Sequence, residues 1–219
     1  MKAQFLCLAN SWKQSGRCVA GLHMSGSGAG WIRPISNQPG GAVPYPTYVF
    51  KQGREASLLD IIEVEVTGAC PSPHQPENWM LGTAPWTLVG QFARASAYTG
   101  LVSWLWTGPQ LFGGTGDRIP YSLFAQSPAS SSLVLIKPDV IDFEISKGWG
   151  GKRKTRGIFQ LKGTSYNLSI TDPLFSQHLK IFPDGRYTRA NLGIAQSDRI
   201  LLTVSLGEPL PSDGCCYKL

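Results

Sequence analysis

Residues 2–22, KAQFLCLANSWKQSGRCVAGL, decide the fold. Ala3 to Ala9 is a short apolar run that passes directly into Asn10-Ser11-Trp12-Lys13. Gly16-Arg17-Cys18 then begins a return, so Arg17 to His23 reads as a second strand. Gly30 to Ile35 supplies a third, and Leu58 to Val66 a fourth, in which Ile61, Ile62, Val64 and Val66 are set against Glu63 and Glu65. The rim where the first strand turns back gathers Asn10, Ser11, Trp12, Lys13 and Arg17, and the third strand adds Trp31 and Arg33. Cations neutralise phosphates and an indole stacks on a flat base, so the mixture suits a ligand carrying both.

Ser131 to Asp172 repeats the design, with apolar strands separated by small or basic turns. Strands are predicted over Leu133 to Lys137, Ile141 to Ser146, Thr155 to Leu161, Ser165 to Thr171 and Ile200 to Leu206, with Lys162-Gly163-Thr164 closing a hairpin. Gly108-Pro109, Gly113-Gly114, Gly116 and Ser130-Ser131-Ser132 mark a boundary between Thr107 and Ser131, giving domains over residues 1–110 and 111–219. No sequence repeat links the halves. Asn37 to Gln52, crowded with Pro, Gly and Tyr, reads as a long loop. The one main helix is predicted over about 86–106, where Pro85 precedes Leu88, Phe92, Leu101 and Leu105 on a helical period.

Composition bounds the class. The hydrophobic fraction of 42% against 16% charged residues supplies a core, and 25 Gly with 16 Pro between short apolar runs punctuate a β-rich fold of 219 residues. A net charge of +6 favours an anionic partner. No apolar run approaches the roughly 20 residues of a membrane span, and the amino-terminal residues lack a signal peptide's core, so a cytoplasmic protein with no membrane partner is expected. Cys7, Cys18, Cys70, Cys215 and Cys216 form no zinc-binding spacing and read as reduced thiols, the first two as small core residues.

Several word-like segments follow one another in order: Cys7-Leu8-Ala9-Asn10-Ser11, Gly16-Arg17-Cys18-Val19-Ala20-Gly21, Trp31-Ile32-Arg33-Pro34-Ile35-Ser36, His74-Gln75-Pro76-Glu77-Asn78-Trp79, Thr171-Asp172-Pro173, Ser205-Leu206-Gly207-Glu208-Pro209 and Cys216-Tyr217-Lys218-Leu219. Together they resemble the dual OB domain-containing family of prokaryotic proteins along nearly the whole chain. The resemblance implies a mainly β fold of two tandem OB-like small barrels. It further implies a nucleic-acid or nucleotide role in a mobile-element or defence context, and no established reaction. In that family a basic residue often follows Asn-Ser, whereas here Trp12 stands between Ser11 and Lys13.

The candidate ligand-binding residues are therefore Asn10, Ser11, Lys13, Arg17, Trp31, Arg33, Gln75 and Asn78, joined by Lys152, Arg153, Lys154 and Arg156. The last four belong to a predicted hairpin tip, Lys147 to Arg156, where positive charges surround Gly148, Gly150 and Gly151 and would attract phosphates. Asn10 and Ser11 serve equally well as turn residues satisfying backbone groups, Trp31 as a lid on the core, and His74 to Trp79 as a capped loop. The leading expectation is a binding module for single-stranded DNA or RNA. The alternative is an enzyme acting on a nucleotide or nucleic-acid base at a pocket between the two barrels, with His74 or Glu77 moving protons. A third reading is an accessory subunit that docks a partner protein.

No phosphate-binding glycine loop, dinucleotide fingerprint, nucleophile elbow or HExxH helix is present in the sequence. No cofactor and no metal are expected, and no reaction is assigned from the sequence.

Overall fold

In the computed structural model, which describes residues 1–14, 16–24 and 30–219 (Trp149 by its backbone only), the chain clusters into two compact units. One comprises Met1–Val102 with Ser127–Ser132, the other Ser103–Gln126 with Leu133–Leu219.

The first unit is built on β1 (Lys2–Lys13), β2 (Gly16–His23), β3 (Trp31–Ile35), β4 (Asp60–Ala69), β5 (Asn78–Leu81) and β6 (Thr87–Gln91). β1 pairs with β2, β2 with β3, β3 in parallel with β5, β5 with β4, and β4 returns to β1. Those five strands close a barrel, as the OB-type expectation requires, and β6 extends the sheet from β4. β1 serves two neighbours because its register shifts between Cys7 and Ala9: Lys2 to Leu6 pair with β4, and Phe5 to Lys13 with β2. The crossing is tight at Gly21, where an added Cβ would lie 1.9 Å from the Leu6 carbonyl oxygen, so no larger residue fits.

Alternation fills this barrel. Along β4, Ile62, Val64 and Val66 are buried while Ile61, Glu63 and Glu65 are half-buried, and Phe5, Val19 and Ile32 complete the interior from β1 to β3. Each fully buried side chain of this size contributes roughly 1.5–3 kcal/mol. The Asn37 to Gln52 loop also enters the core through Ala42, Val43, Tyr48 and Phe50, so its apolar residues anchor it to the barrel.

The predicted helix over 86–106 is replaced by three shorter features. Trp86 is buried, edge-on to Phe5 at 6.4 Å between ring centroids. Thr87 to Gln91 pair with β4, because the free edge of that strand supplies backbone partners that outweigh a weak helical period interrupted by Gly90. The helix that does form, α1 (Arg94–Leu101), buries only Leu101.

The second unit carries β7 (Arg118–Pro120), α2 (Tyr121–Gln126), β8 (Leu133–Ile136), β9 (Val140–Lys147), β10 (Arg153–Leu161), β11 (Thr164–Ser169), α3 (Pro173–His178), β12 (Gly185–Thr188), β13 (Leu202–Pro209) and β14 (Cys215–Lys218). They form two sheets, ordered β11-β10-β9-β12 and β7-β14-β13-β8. Lys162 and Gly163, both at positive φ, close the β10–β11 hairpin as the sequence predicts. Phe143, Ile145, Phe159, Leu161, Tyr166 and Leu168 fill its core. β11 stops at Ser169, and Asp172 caps α3 by accepting from the Phe175 amide at 2.8 Å, with Pro173 next in line. All five cysteines are free thiols; Cys7 is buried as expected, whereas Cys18 is half-buried.

Candidate functional site

Within the first unit, the antiparallel register of β1 and β2 sets Trp12 opposite Arg17. The Arg17 guanidinium carbon lies 3.5 Å from the Trp12 ring centroid and 5.2 Å from that of Tyr48. Arg17 is buried, and its Nη2 donates to Glu55 Oε2 at 2.8 Å, which fixes the guanidinium plane beneath the indole. Trp12 is 57% exposed. Tyr45, 71% exposed, meets Tyr48 edge-on at 6.2 Å. The result is an aromatic surface with a buried cation behind it, a geometry in which the indole is oriented and its remaining surface is open to a ligand. Gly16 makes the approach feasible, since a Cβ there would fall 2.2 Å from the Val43 carbonyl oxygen.

The neighbouring candidates have other positions. β1 continues through Asn10 and Ser11 rather than turning there. Asn10 is buried and donates from Nδ2 to the Ala56 carbonyl at 2.7 Å, tying the segment that follows the long loop to β1. Ser11 and Lys13 are half-buried on the last turns of the strand edge.

A second cluster forms where β3 runs parallel to β5. Arg33 stands opposite Asn78, and the Arg33 amide donates to the Glu77 carbonyl at 2.9 Å. The Arg33 side chain is enclosed. Its Nη2 donates to Ser132 Oγ at 2.8 Å and lies 3.3 Å from Glu77 Oε1. Ser132 donates to the same carboxylate twice, from its amide to Oε2 at 3.2 Å and from its hydroxyl to Oε1. Nε and Nη1 of Arg33 and Oδ1 of Asn78 are buried with no hydrogen-bond partner among the described residues. Asn78 Nδ2 contacts Gln75 Oε1 at 3.3 Å, His74 Nδ1 lies 3.3 Å from Ser72 Oγ, and Ser72 and Gln75 exchange both backbone hydrogen bonds. His74, Gln75, Glu77, Asn78 and Arg33 are thus brought together by the parallel β3–β5 pairing, all of them buried inside the first unit.

Trp31, half-buried at the start of β3, lines an open pocket of about 300 Å³ beside this cluster, with Gly30, Pro76, Glu77, Ser130 and Ser131. Ser132 and its neighbours were not legible as site residues: the Ser-rich patch reads as a domain boundary, and a partner 55 residues from Glu77 leaves no spacing signal. The sequence places Trp12 on the rim, but Tyr45, Tyr48 and Glu55 around it leave no spacing signal for the same reason.

In the second unit the basic hairpin forms as predicted, with Arg153 opposite Lys147 and Lys154 opposite Ser146 across a tip held by Gly148 N–H to Lys152 O at 2.7 Å. Lys147, Lys152 and Lys154 are exposed. Arg153 donates to the backbone carbonyls of Leu179 and Phe182, and Arg156 bonds Asn167 and lies 3.5 Å from Asp117. These two arginines therefore hold the fold as well as contributing charge. Burial pushes the Asp117 carboxyl up, but Arg118 and Arg156 outweigh it and hold the group below the usual carboxylate range.

Lys218 is buried in this unit, its Nζ donating to the Gly114 carbonyl at 2.6 Å and lying 5.4 Å from the Tyr166 ring centroid. Burial pushes its ammonium down to about 8, against the pull of Asp117. A further pocket of about 410 Å³ is bordered by Lys137, Arg189 and Arg199 but equally by Asp139, Asp142 and Asp198, so its charge does not select an anion. Among the described residues no group of three or more His, Cys, Asp or Glu could hold a metal ion, and no helix is long and apolar enough to cross a membrane.

The profile of the dual OB-containing domain family matches residues 3–219. The chain belongs to that family. No curated protein and no solved structure matches it.

Proposed function

We propose that this dual OB-containing protein binds single-stranded nucleic acid, with bases stacking on Trp12 and phosphates drawn to the exposed lysines of the β9–β10 hairpin. OB-type domains commonly bind nucleic acids by combining aromatic platforms with positive charge. The observation that carries the reading is the Trp12–Arg17 pair, an exposed indole whose inner face is occupied by a guanidinium locked by Glu55. An indole serving only the core would be covered; this one is fixed in place and left open. Tyr45 extends the same aromatic surface, and the net charge of +6 supplies a general attraction for phosphate.

Sequence-tolerant binding follows, because every base has a face that stacks, and so does a strong dependence on salt, because phosphate contacts release counterions. The test is a fluorescence-anisotropy titration with unstructured single-stranded DNA and RNA at roughly 50 and 200 mM salt. Binding that weakens steeply with salt supports the reading. Absence of binding at the lower salt overturns it.

A further inference from the structure

We infer that the pocket beside the Arg33–Glu77–Ser132 cluster receives one unstacked nucleobase bearing an exocyclic amine, which stacks on Trp31 and donates to the Glu77 carboxylate. The inference rests on single-stranded nucleic-acid binding as proposed above and adds a base-reading position to it.

Three features point to this ligand. First, Trp31 and Pro76 give the pocket flat and apolar walls, Ser130 and Ser131 add small polar groups, and about 300 Å³ is room for a single base. Second, among the described residues Glu77 is the one charged residue lining it, and a carboxylate is an acceptor only, so the ligand edge facing it must carry a donor. Third, the carboxylate is already positioned by Arg33 Nη2 and by both donors of Ser132. The two hydrogen bonds from Ser132 occupy two of its roughly four lone-pair sites, and the guanidinium holds it from the side, leaving acceptor capacity for a ligand N–H. An acceptor-only group held rigidly beside a stacking surface discriminates between base edges. The amines of cytosine, adenine and guanine satisfy it. Uracil and thymine present carbonyl oxygens on both sides of their one ring N–H, and these face the negative charge unfavourably. A phosphate is excluded from the position by the same charge.

Anisotropy titrations would compare oligouridylate with the same oligomer carrying one central cytosine, one adenine, or one unsubstituted purine in place of the adenine. Cytosine and adenine should tighten binding by about tenfold over oligouridylate, and removing only the amine, as in purine, should abolish the gain. Glu77→Gln should erase the cytosine-over-uracil ratio, since the amide presents its own donors to the ligand. Because Glu77 is buried against Arg33 that variant can fold poorly, but the purine comparison uses the unaltered protein and decides the matter by itself. Equal affinity for all four oligomers overturns the base-reading pocket while leaving single-strand binding intact. Failure of every oligomer to bind at low salt overturns both.

Discussion

Arg33 and Glu77 form an ion pair of 3.3 Å with side chains only 1% and 6% exposed, at the parallel seam where β3 meets β5 and the barrel closes. A charged pair here is costly to desolvate, and it is sustained by the two hydrogen bonds from Ser132. The pair thus joins barrel closure to the geometry of the pocket beside Trp31.

Breaking this pair strands a buried charge. Arg33→Met or Glu77→Gln alone should lower unfolding free energy by roughly 3–5 kcal/mol, and the double substitution by clearly less than the sum of the two. Urea denaturation of the three variants measures the coupling; additive losses would show that the pair does not act as a unit.

Trp12 is exposed, so its removal should affect a ligand more than the fold. Trp12→Ala is expected to weaken single-strand binding by about 1–3 kcal/mol while changing the midpoint of thermal unfolding little. Unaltered affinity in the anisotropy titration would remove the indole from the interface.

Lys152 and Lys154 project from the hairpin tip and, among the described residues, their side chains make no hydrogen bond or ion pair. Replacing both with Ala should reduce the slope of log affinity against log salt by roughly 1.4, the counterion release of two phosphate contacts on a single strand. Arg153 and Arg156 are less suitable for this measurement, because their hydrogen bonds to Leu179, Phe182 and Asn167 make their loss structural as well.

Lys218 makes stability depend on pH in a defined direction. Its folded value of about 8 lies below the ordinary 10.5, so below pH 8 the ammonium is protonated in both states and the cost of burying it is fully present. Between about pH 8 and 10.5 the folded state loses the proton first, the unfolded state holds more protons, and this group's contribution to stability rises with pH, by up to about 3 kcal/mol. Cys216 acts in the opposite sense: burial raises its thiol from 9.0 to about 11, so its contribution falls as the unfolded thiol ionises above pH 9. Denaturation of Lys218→Met alongside the unaltered protein isolates the lysine, and the difference between them should shrink from pH 7 towards pH 10. A constant difference would mean that the ammonium is not penalised by burial.

Much of the architecture was legible because it is encoded by neighbours in sequence. The alternation of Ile62, Val64 and Val66 with Glu63 and Glu65 states both the strand and its buried face, and Lys162-Gly163 states the hairpin. The short strands β5, β6, β7, β12 and β14 carry three to five residues each, too few for a pattern, and exist because another edge was available to pair with. The helical period from Leu88 to Leu105 misled for that reason: Leu88 is placed opposite Ile62 of β4, a partner more than twenty positions away that no local period can include.

The candidate residues divide in the same way. By itself the sequence determined which chemical groups the chain owns: a basic hairpin, an Arg-bearing third strand, a His-Gln-Pro-Glu-Asn segment and an aromatic residue after Asn-Ser. Only the tertiary structure decided that Arg33 is enclosed against Glu77 and Ser132 while Trp12 is left open over Arg17. Burial and pairing depend on residues 44 to 99 positions apart, Arg33 with Glu77 and Ser132, being brought within 3.3 Å, and such meetings are set by barrel closure rather than by any spacing along the chain.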